Sequence, residues 1–214
     1  MTQDPPTVFT IGHSNHSSER FLALLQRAGV TAITDVRSIP QSRRCPQFGR
    51  ARIERWLADA GIAYVFLGAE LGGRPQDPAL LRDGRPDYER MATTRAFRVG
   101  FERVLKGAAR HRIALMCAER DPIDCHRFLL VSRHLHEGGA QLRHILADGS
   151  IEPQEATELR LFARTGGRRD GLLAELPPPR QAIVRAYDIR SGRITRLSRP
   201  DARTGGAETP DTDR

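Results

Sequence analysis

Five short β-rich runs, each followed by a segment with helical spacing, constrain this chain more than any other feature. The runs are Thr7–Ile11, Thr31–Val36, Ala63–Leu67, Ile113–Cys117 and Gln141–Leu146. Each has strand length rather than helix length. The segments after them repeat apolar residues at helical intervals: Phe21, Leu24, Leu25 and Ala28; Ile53, Trp56 and Leu57; Met91, Phe97, Phe101 and Val104; Phe128, Leu129, Val131 and Leu135. A fifth helix is expected over Glu152 to Ala163, with Pro153 near its first turn. Strand and helix in alternation favour parallel neighbours, right-handed crossovers and helices on both faces. The expected fold is therefore α/β: a mostly parallel five-stranded sheet in a Rossmann-like three-layer sandwich, plus a C-terminal extension.

The rhythm sets the boundaries. Residues 1–163 read as one α/β domain. Within it, Gly68 to Pro86 reads as a long irregular loop and Tyr88 to Lys106 as one long helix. Residues 164–197 read as a linker, punctuated by TGGRRDG and LPPP, and then a β-hairpin. Its strands would be AIVRAYDI and RITRL, between Ala182 and Leu197, turning at Ser191-Gly192. Residues 198–214 are polar without a periodic apolar face, so disorder is expected there.

Composition narrows the setting. Hydrophobic residues make up 39% of the 214 and charged ones 28%, a balance that fits a soluble protein with a real core. No apolar run approaches the roughly 20 residues of a membrane span. The opening MTQDPPTVFT has neither the basic nor the apolar region of a signal peptide. Three cysteines do not suggest a disulfide framework, and a cytoplasmic chain with reduced thiols is expected. The net charge of +8 points weakly toward nucleic acid, because Lys106 is the only lysine and the arginines lie scattered among Asp and Glu. An anionic small molecule or a nucleic acid remains the expected partner class, and no membrane.

In a parallel sheet all strand carboxyl ends share one edge, where ligands usually bind. The first strand delivers Gly12, His13 and Ser14 there, and the second Asp35, Arg37 and Ser38. The third delivers Glu70 and Gly72-Gly73-Arg74, the fourth Cys117, Glu119, Cys125, His126 and Arg127, and the fifth Asp148. Cys125 near a helix start, beside His126 and Arg127, suits a thiolate; packing of the turn is its alternative. Cys117 is a second thiol or a core residue. Cys45 reads as a surface residue. His13 suits a base, a ligand contact or a turn bond. Arg37 and Arg127 suit bidentate binding of an anion, or structural pairing with Asp35 and Glu119.

Sharper motifs fail. Five residues on from Cys117 the next position holds Ile123 where a phosphatase loop needs arginine, and Pro122 breaks a rhodanese-type loop. No GxGxxG or GxxxxGK[ST] occurs. Cys117 and Cys125 do not form a CxxC pair. A mixed site of Cys117, Cys125, His126 and His13 is chemically possible, but adjacent Cys125 and His126 on a helix would point apart, so the expectation is no cofactor, with a metal as the minor alternative.

Five motifs, in order, resemble the family called domain of unknown function 488. They are TIGHSN at Thr10–Asn15, DVRSIPQSR at Asp35–Arg43, LGAELGGRP at Leu67–Pro75, CAERDPIDCHR at Cys117–Arg127 and HILADG at His144–Gly149. The resemblance implies a compact α/β domain with a polar site and no settled reaction. It maps motif residues onto Gly12, His13, Ser14, Asp35, Arg37, Glu70, Cys117, Glu119, Cys125, His126 and Arg127. The expected function is an enzyme, a cysteine-dependent hydrolase or transferase, acting on an anionic substrate related to nucleotides or nucleic acid. Cys125 would be its nucleophile, or Cys117 with Cys125 resolving it. His13 or His126 would move protons, Glu119 would act as orienter or as acid/base, and Arg37 and Arg127 would hold the anion. The rivals are a binding module without chemistry and a thiol redox or metal-responsive protein.

Overall fold

The computed structural model describes residues 5–168 and 177–197. In chain order its strands are β1 (Thr7–Gly12), β2 (Ala32–Asp35), β3 (Ala63–Phe66), β4 (Leu81–Arg82), β5 (Arg85–Pro86), β6 (Ile113–Cys117), β7 (Gln141–Ile145) and β8 (Ile151–Pro153). The helices are α1 (Ser18–Arg27), α2 (Arg50–Asp59), α3 (Gly68–Leu71), α4 (Tyr88–Ala92), α5 (Arg95–Ala108), α6 (Arg133–Glu137), α7 (Gln154–Arg164) and α8 (Arg180–Leu197).

The main sheet has the order β3-β2-β6-β1-β7-β8. All pairs are parallel except β7 with β8. The five expected strands are present, and β8 makes a sixth. It arises because the chain reverses after β7: the Asp148 carboxylate accepts from Ser150 N at 2.9 Å, and Gly149 takes φ +96°. The helix expected from Glu152 consequently starts at Gln154, with Pro153 still extended.

Side chains alternate across the strands, as the two-residue period requires. Phe9, Ile11, Ala114 and Met116 pack with Phe21, Leu25, Ile53 and Leu57 of α1 and α2. Val8, Leu115 and Cys117 pack with Phe97 and Val104 of α5 and with Leu130 and Leu135. Each fully buried Leu or Phe is worth roughly 1.5–3 kcal/mol, so two such faces hold the three layers together.

Three expectations change. The long helix over Tyr88 to Lys106 is two helices, because the Thr94 hydroxyl accepts from Phe97 N at 3.1 Å and starts α5 afresh. The Gly68 to Pro86 loop contains α3 and the short antiparallel pair β4–β5, turned through Asp83 and Gly84 at positive φ. The expected hairpin over Ala182 to Leu197 is instead the single helix α8. Its apolar residues Ile183, Ala186, Tyr187 and Ile194 fall on one helical stripe against Ile123, Phe128, Leu129 and Leu161. That packing outweighs the turn preference of Ser191-Gly192. Part of the expected linker, residues 169–176, and the expected disordered tail, residues 198–214, lie outside the described residues.

A buried polar chain ties α8 to the sheet. The Thr10 hydroxyl bonds His144 Nδ1 at 2.8 Å, and His144 Nε2 bonds Gln154 Oε1 at 2.9 Å. Gln154 Nε2 donates to the Tyr187 hydroxyl at 2.7 Å, which donates to Glu158 at 2.9 Å. Tyr187→Phe removes an acceptor and a donor at once, although Gln154 Nε2 keeps Glu158 at 3.1 Å. We expect a loss of about 1–2 kcal/mol, read as a lower urea midpoint; an unchanged midpoint would contradict this role for the hydroxyl.

Candidate functional site

The strand order places β6 between β2 and β1, so three neighbouring carboxyl ends supply one site. His13 N donates to Cys117 O at 2.8 Å and Ser14 N to Ala118 O at 2.9 Å, which continues the β1–β6 ladder past the strands. At Gly12 the Glu119 backbone crosses so closely that a Cβ would lie 1.9 Å from Glu119 O. A cavity of about 550 Å³ opens over these ends, with His13, Arg37, Cys117, Glu119, Cys125 and His126 all on its wall.

Arg37 is held rigidly. Its Nε donates to Asp35 Oδ1 at 2.9 Å and its Nη2 to Oδ2 at 2.6 Å, a bidentate pair. The Asp35 carboxylate also accepts from Arg37 N and from the Tyr64 hydroxyl at 2.7 Å. Asp35 is wholly buried and thus positions Arg37; it does not line the cavity. Arg37 Nη1 lies 3.3 Å from His13 Nε2, while His13 Nδ1 lies 2.9 Å from the Ser14 carbonyl. A carbonyl only accepts, so Nδ1 carries the proton and Nε2 is the free base. The ring stacks on Phe48 at 4.5 Å. Burial above all, helped by Arg37, lowers the His13 pKa to about 4, so His13 is neutral at pH 7.

The other wall is a thiol–carboxylate–imidazole cluster. Glu119 Oε2 accepts from Cys117 Sγ at 3.0 Å and from Cys125 Sγ at 2.9 Å. His126 Nδ1 lies 3.7 Å from Cys117 Sγ and 3.9 Å from Cys125 Sγ, and His126 Nε2 lies 2.9 Å from Val36 O. Burial would raise the Glu119 pKa, but the two thiols and the imidazole outweigh it and hold it at about 2. Burial, then Cys117 and the Glu119 charge, push the Cys125 thiol well above its usual range. Burial pulls His126 down, but the thiol and carboxylate facing it prevail and raise it.

These facts revise the expected chemistry of Cys125. It ends the short 3-10 turn Pro122–Asp124 in extended conformation, φ −137° and ψ 142°, and the helix that follows begins as a π-helix over Arg127–Ser132. A buried thiol aimed at a carboxylate is protonated at neutral pH and is not a ready thiolate. The same extended geometry lets Cys125 and His126 face one cluster, contrary to the divergence a helix would impose.

Other expected residues lie elsewhere. Arg127 is fully buried, and its guanidinium donates to Glu119 O at 2.7 Å and Arg120 O at 3.2 Å. It braces the Cys117–Glu119 loop from behind and does not line the cavity. Glu70 pairs with Arg103 at 2.6 Å, away from the cavity, although Gly73 of the same loop touches the His126 ring. Ser14 has φ 47° and contributes its carbonyl to His13 and Cys45. Cys45 is buried, not a surface residue, because its thiol donates to Ser14 O at 3.3 Å among the residues packed on α1 and α2. Asp148 serves the β7–β8 turn.

Arg74, expected on this rim, lines the cavity; Tyr88 and Arg190 also line it and went unread in the sequence. Arg190 reaches it from α8, bound to Asp124 and, at 3.2 Å, to Ile123 O. No local pattern marks these residues; helical spacing over 183–194 was the one available signal for α8.

Residues 17–134 match the family model described as Domain of unknown function DUF488. No curated protein matches the chain. No solved structure matches it. Among the described residues no helix is long and apolar enough to cross a membrane.

Proposed function

The chain belongs to the family described as Domain of unknown function DUF488, and from that premise we propose that it is an enzyme acting on a small anionic, nucleotide-related substrate. The observation that carries this reading is the pairing, across one cavity, of a locked guanidinium with a thiol–carboxylate–imidazole cluster. Asp35 holds two edges of Arg37 and leaves Nη1 beside His13 as its contact for an anion. His13 Nε2, neutral at pH 7, accepts from Nη1 and fixes the direction in which that guanidinium edge meets the anion. Cys117, Cys125, Glu119 and His126 form the reactive wall. A reducing, cytoplasmic compartment would keep both sulfurs as thiols.

A second reading, a binding module for nucleotides or nucleic acid without chemistry, draws support from the buried Cys125 thiol, which donates to Glu119 Oε2 at 2.9 Å and so does not stand as a free thiolate. The same titration separates the two. Inorganic phosphate and nucleoside monophosphates are titrated calorimetrically into the full chain, and a panel of phosphate esters is assayed for turnover. We expect binding that weakens roughly tenfold or more in Arg37→Gln, the effect of losing one charge-assisted bond. Arg37→Lys, which keeps a charge beside Asp35, guards against a folding defect. Absence of anion binding in the wild type overturns the reading. Binding without turnover, unchanged in Cys125→Ser, selects the binding module.

A further inference from the structure

The cluster on the reactive wall has the form of a metal site. Cys117 Sγ, Cys125 Sγ and His126 Nδ1 all lie within 4.8 Å of one another, and all three residues are buried. For a zinc-class ion, metal–sulfur bonds near 2.3 Å and metal–nitrogen bonds near 2.0–2.1 Å imply tetrahedral S···N edges of about 3.6 Å. The observed S···N separations are 3.7 and 3.9 Å. Three ligands are therefore in place for an ion to settle among them with only small side-chain adjustment.

The surroundings point the same way. A metal-binding imidazole usually donates its second N–H to a carbonyl or carboxylate, which fixes the tautomer. His126 Nε2 meets Val36 O at 2.9 Å, so the proton sits there and the Nδ1 lone pair is aimed at the sulfurs. Gly73 packs on the ring so closely that a Cβ would lie 2.5 Å from His126 Cγ, which holds the ring in that orientation. Two cysteines meant to form a disulfide would need neither device. Glu119 Oε2, at 3.0 and 2.9 Å from the sulfurs, stands outside this group of three and accepts from both thiols, so its carboxylate charge lies beside the ligands.

We infer that Cys117, Cys125 and His126 bind one divalent zinc-class ion, with its fourth position open to the cavity that Arg37 and His13 also line. The ion displaces the two thiol protons to solvent: two S–H bonds break, two metal–thiolate bonds form, and no electron changes hands. The cluster then carries the same net charge as before, with two thiolates and a carboxylate against the dication. The ion would supply a Lewis acid at the wall that the proposed function calls reactive. The inference stands on the ligand geometry alone and does not depend on anion binding.

The test uses the reduced full chain, stripped with a chelator and titrated with Co²⁺ without oxygen. We expect saturation at a single ion per chain, with thiolate-to-cobalt charge transfer in the near ultraviolet and intense visible bands of tetrahedral coordination. Zn²⁺ should bleach both and release about two protons per ion. Cys117→Ser and His126→Gln should each weaken binding roughly tenfold or more, and Cys45→Ser should bind as the wild type does. Lack of charge transfer in the wild type, or an intact spectrum in His126→Gln, overturns the inference. So does a Cys117–Cys125 disulfide in freshly purified, metal-free protein. The wild-type spectrum and proton release decide the matter even where a variant fails to fold. Phosphate added to the Co²⁺ form reports separately on the anion: bands that form but ignore phosphate count against the proposed function, while phosphate binding without bands counts against the metal.

Discussion

Acidification from pH 6.5 to 4 is expected to remove roughly 6 kcal/mol of folding stability through two histidines. His13 and His144 are buried, at 3% and 0% exposure, and both have pKa values lowered from 6.5 to about 4. At each the largest cause is burial. Burial in the core excludes the charged ring, and at His144 the Thr10 and Gln154 partners already use both nitrogens. An unfolded chain takes up these protons below pH 6.5 and the folded one does not, so stability is fully present above 6.5 and falls until the folded pKa near 4 is reached. Each histidine contributes roughly 3 kcal/mol over that window. His126 acts in the opposite sense, but its contribution is lost only as pH rises above 6.5 through its raised folded pKa, so it adds no slope here. Below about 4.5, Glu119 continues the loss, because its folded pKa of about 2 leaves the unfolded carboxylate to protonate first. Since a domain's whole stability is commonly 5–15 kcal/mol, acid unfolding should set in close to pH 4–5. Urea midpoints followed through Trp56 fluorescence at successive pH values measure it. A flat profile between 6.5 and 4 would show that neither ring is held neutral, and His144→Gln should remove about half of the slope.

Gly12→Ala is expected to be the most damaging single methyl group in the chain. Its Cβ would stand 1.9 Å from Glu119 O, 2.9 Å from Glu119 C and 3.2 Å from Arg120 O, all backbone atoms. No rotamer relieves such a contact, so the Glu119–Arg120 segment must retreat. Arg127 opposes the retreat because its guanidinium holds both carbonyls from the far side. Overpacking of a tight site costs about 1–3 kcal/mol and occasionally more, and we expect the upper end here. The displaced Glu119 also leaves both thiols, so anion and metal binding should fall together with stability. Calorimetry and the Co²⁺ spectrum of Gly12→Ala read this out. Gly192→Ala is the contrast: it lies in α8 with nothing within 4 Å of the added Cβ. There alanine's helix preference should raise stability by up to about 1 kcal/mol. Equal effects at the two positions would refute the close-approach account of Gly12.

Much of this arrangement was written in local pattern. The repeated order of a strand-length run and a helical segment determined that five runs would pair in parallel with helices on both faces, because parallel neighbours need crossover connections of helix length. That parallel sheet in turn placed the residues after β1, β2 and β6 on one edge, so His13, Arg37, Cys117, Glu119, Cys125 and His126 were readable as neighbours. Roles within the site were another matter. Arg37 and Arg127 each suited an anion or a structural partner, and the sequence left the choice open, because a charged side chain's partner depends on which backbone crosses it in space. Asp35 took Arg37 and Tyr64, and Arg127 took two carbonyls.

Tertiary structure alone decided the strand order, and with it the insertion of β6 between β2 and β1 that brings Val36 O to His126. It alone made α8 a helix, since the stripe of Ile183, Ala186, Tyr187 and Ile194 gains from burial only once Phe128 and Leu161 are in place. The Cys125 conformation belongs to the same class. A rule based on helical spacing sends Cys125 and His126 apart, whereas the extended backbone at the end of the 3-10 turn brings both toward Glu119 and Cys117. Local periodicity encodes which face is buried; the meeting of two sulfurs and an imidazole depends on how separate segments pack, and no window of sequence contains that information.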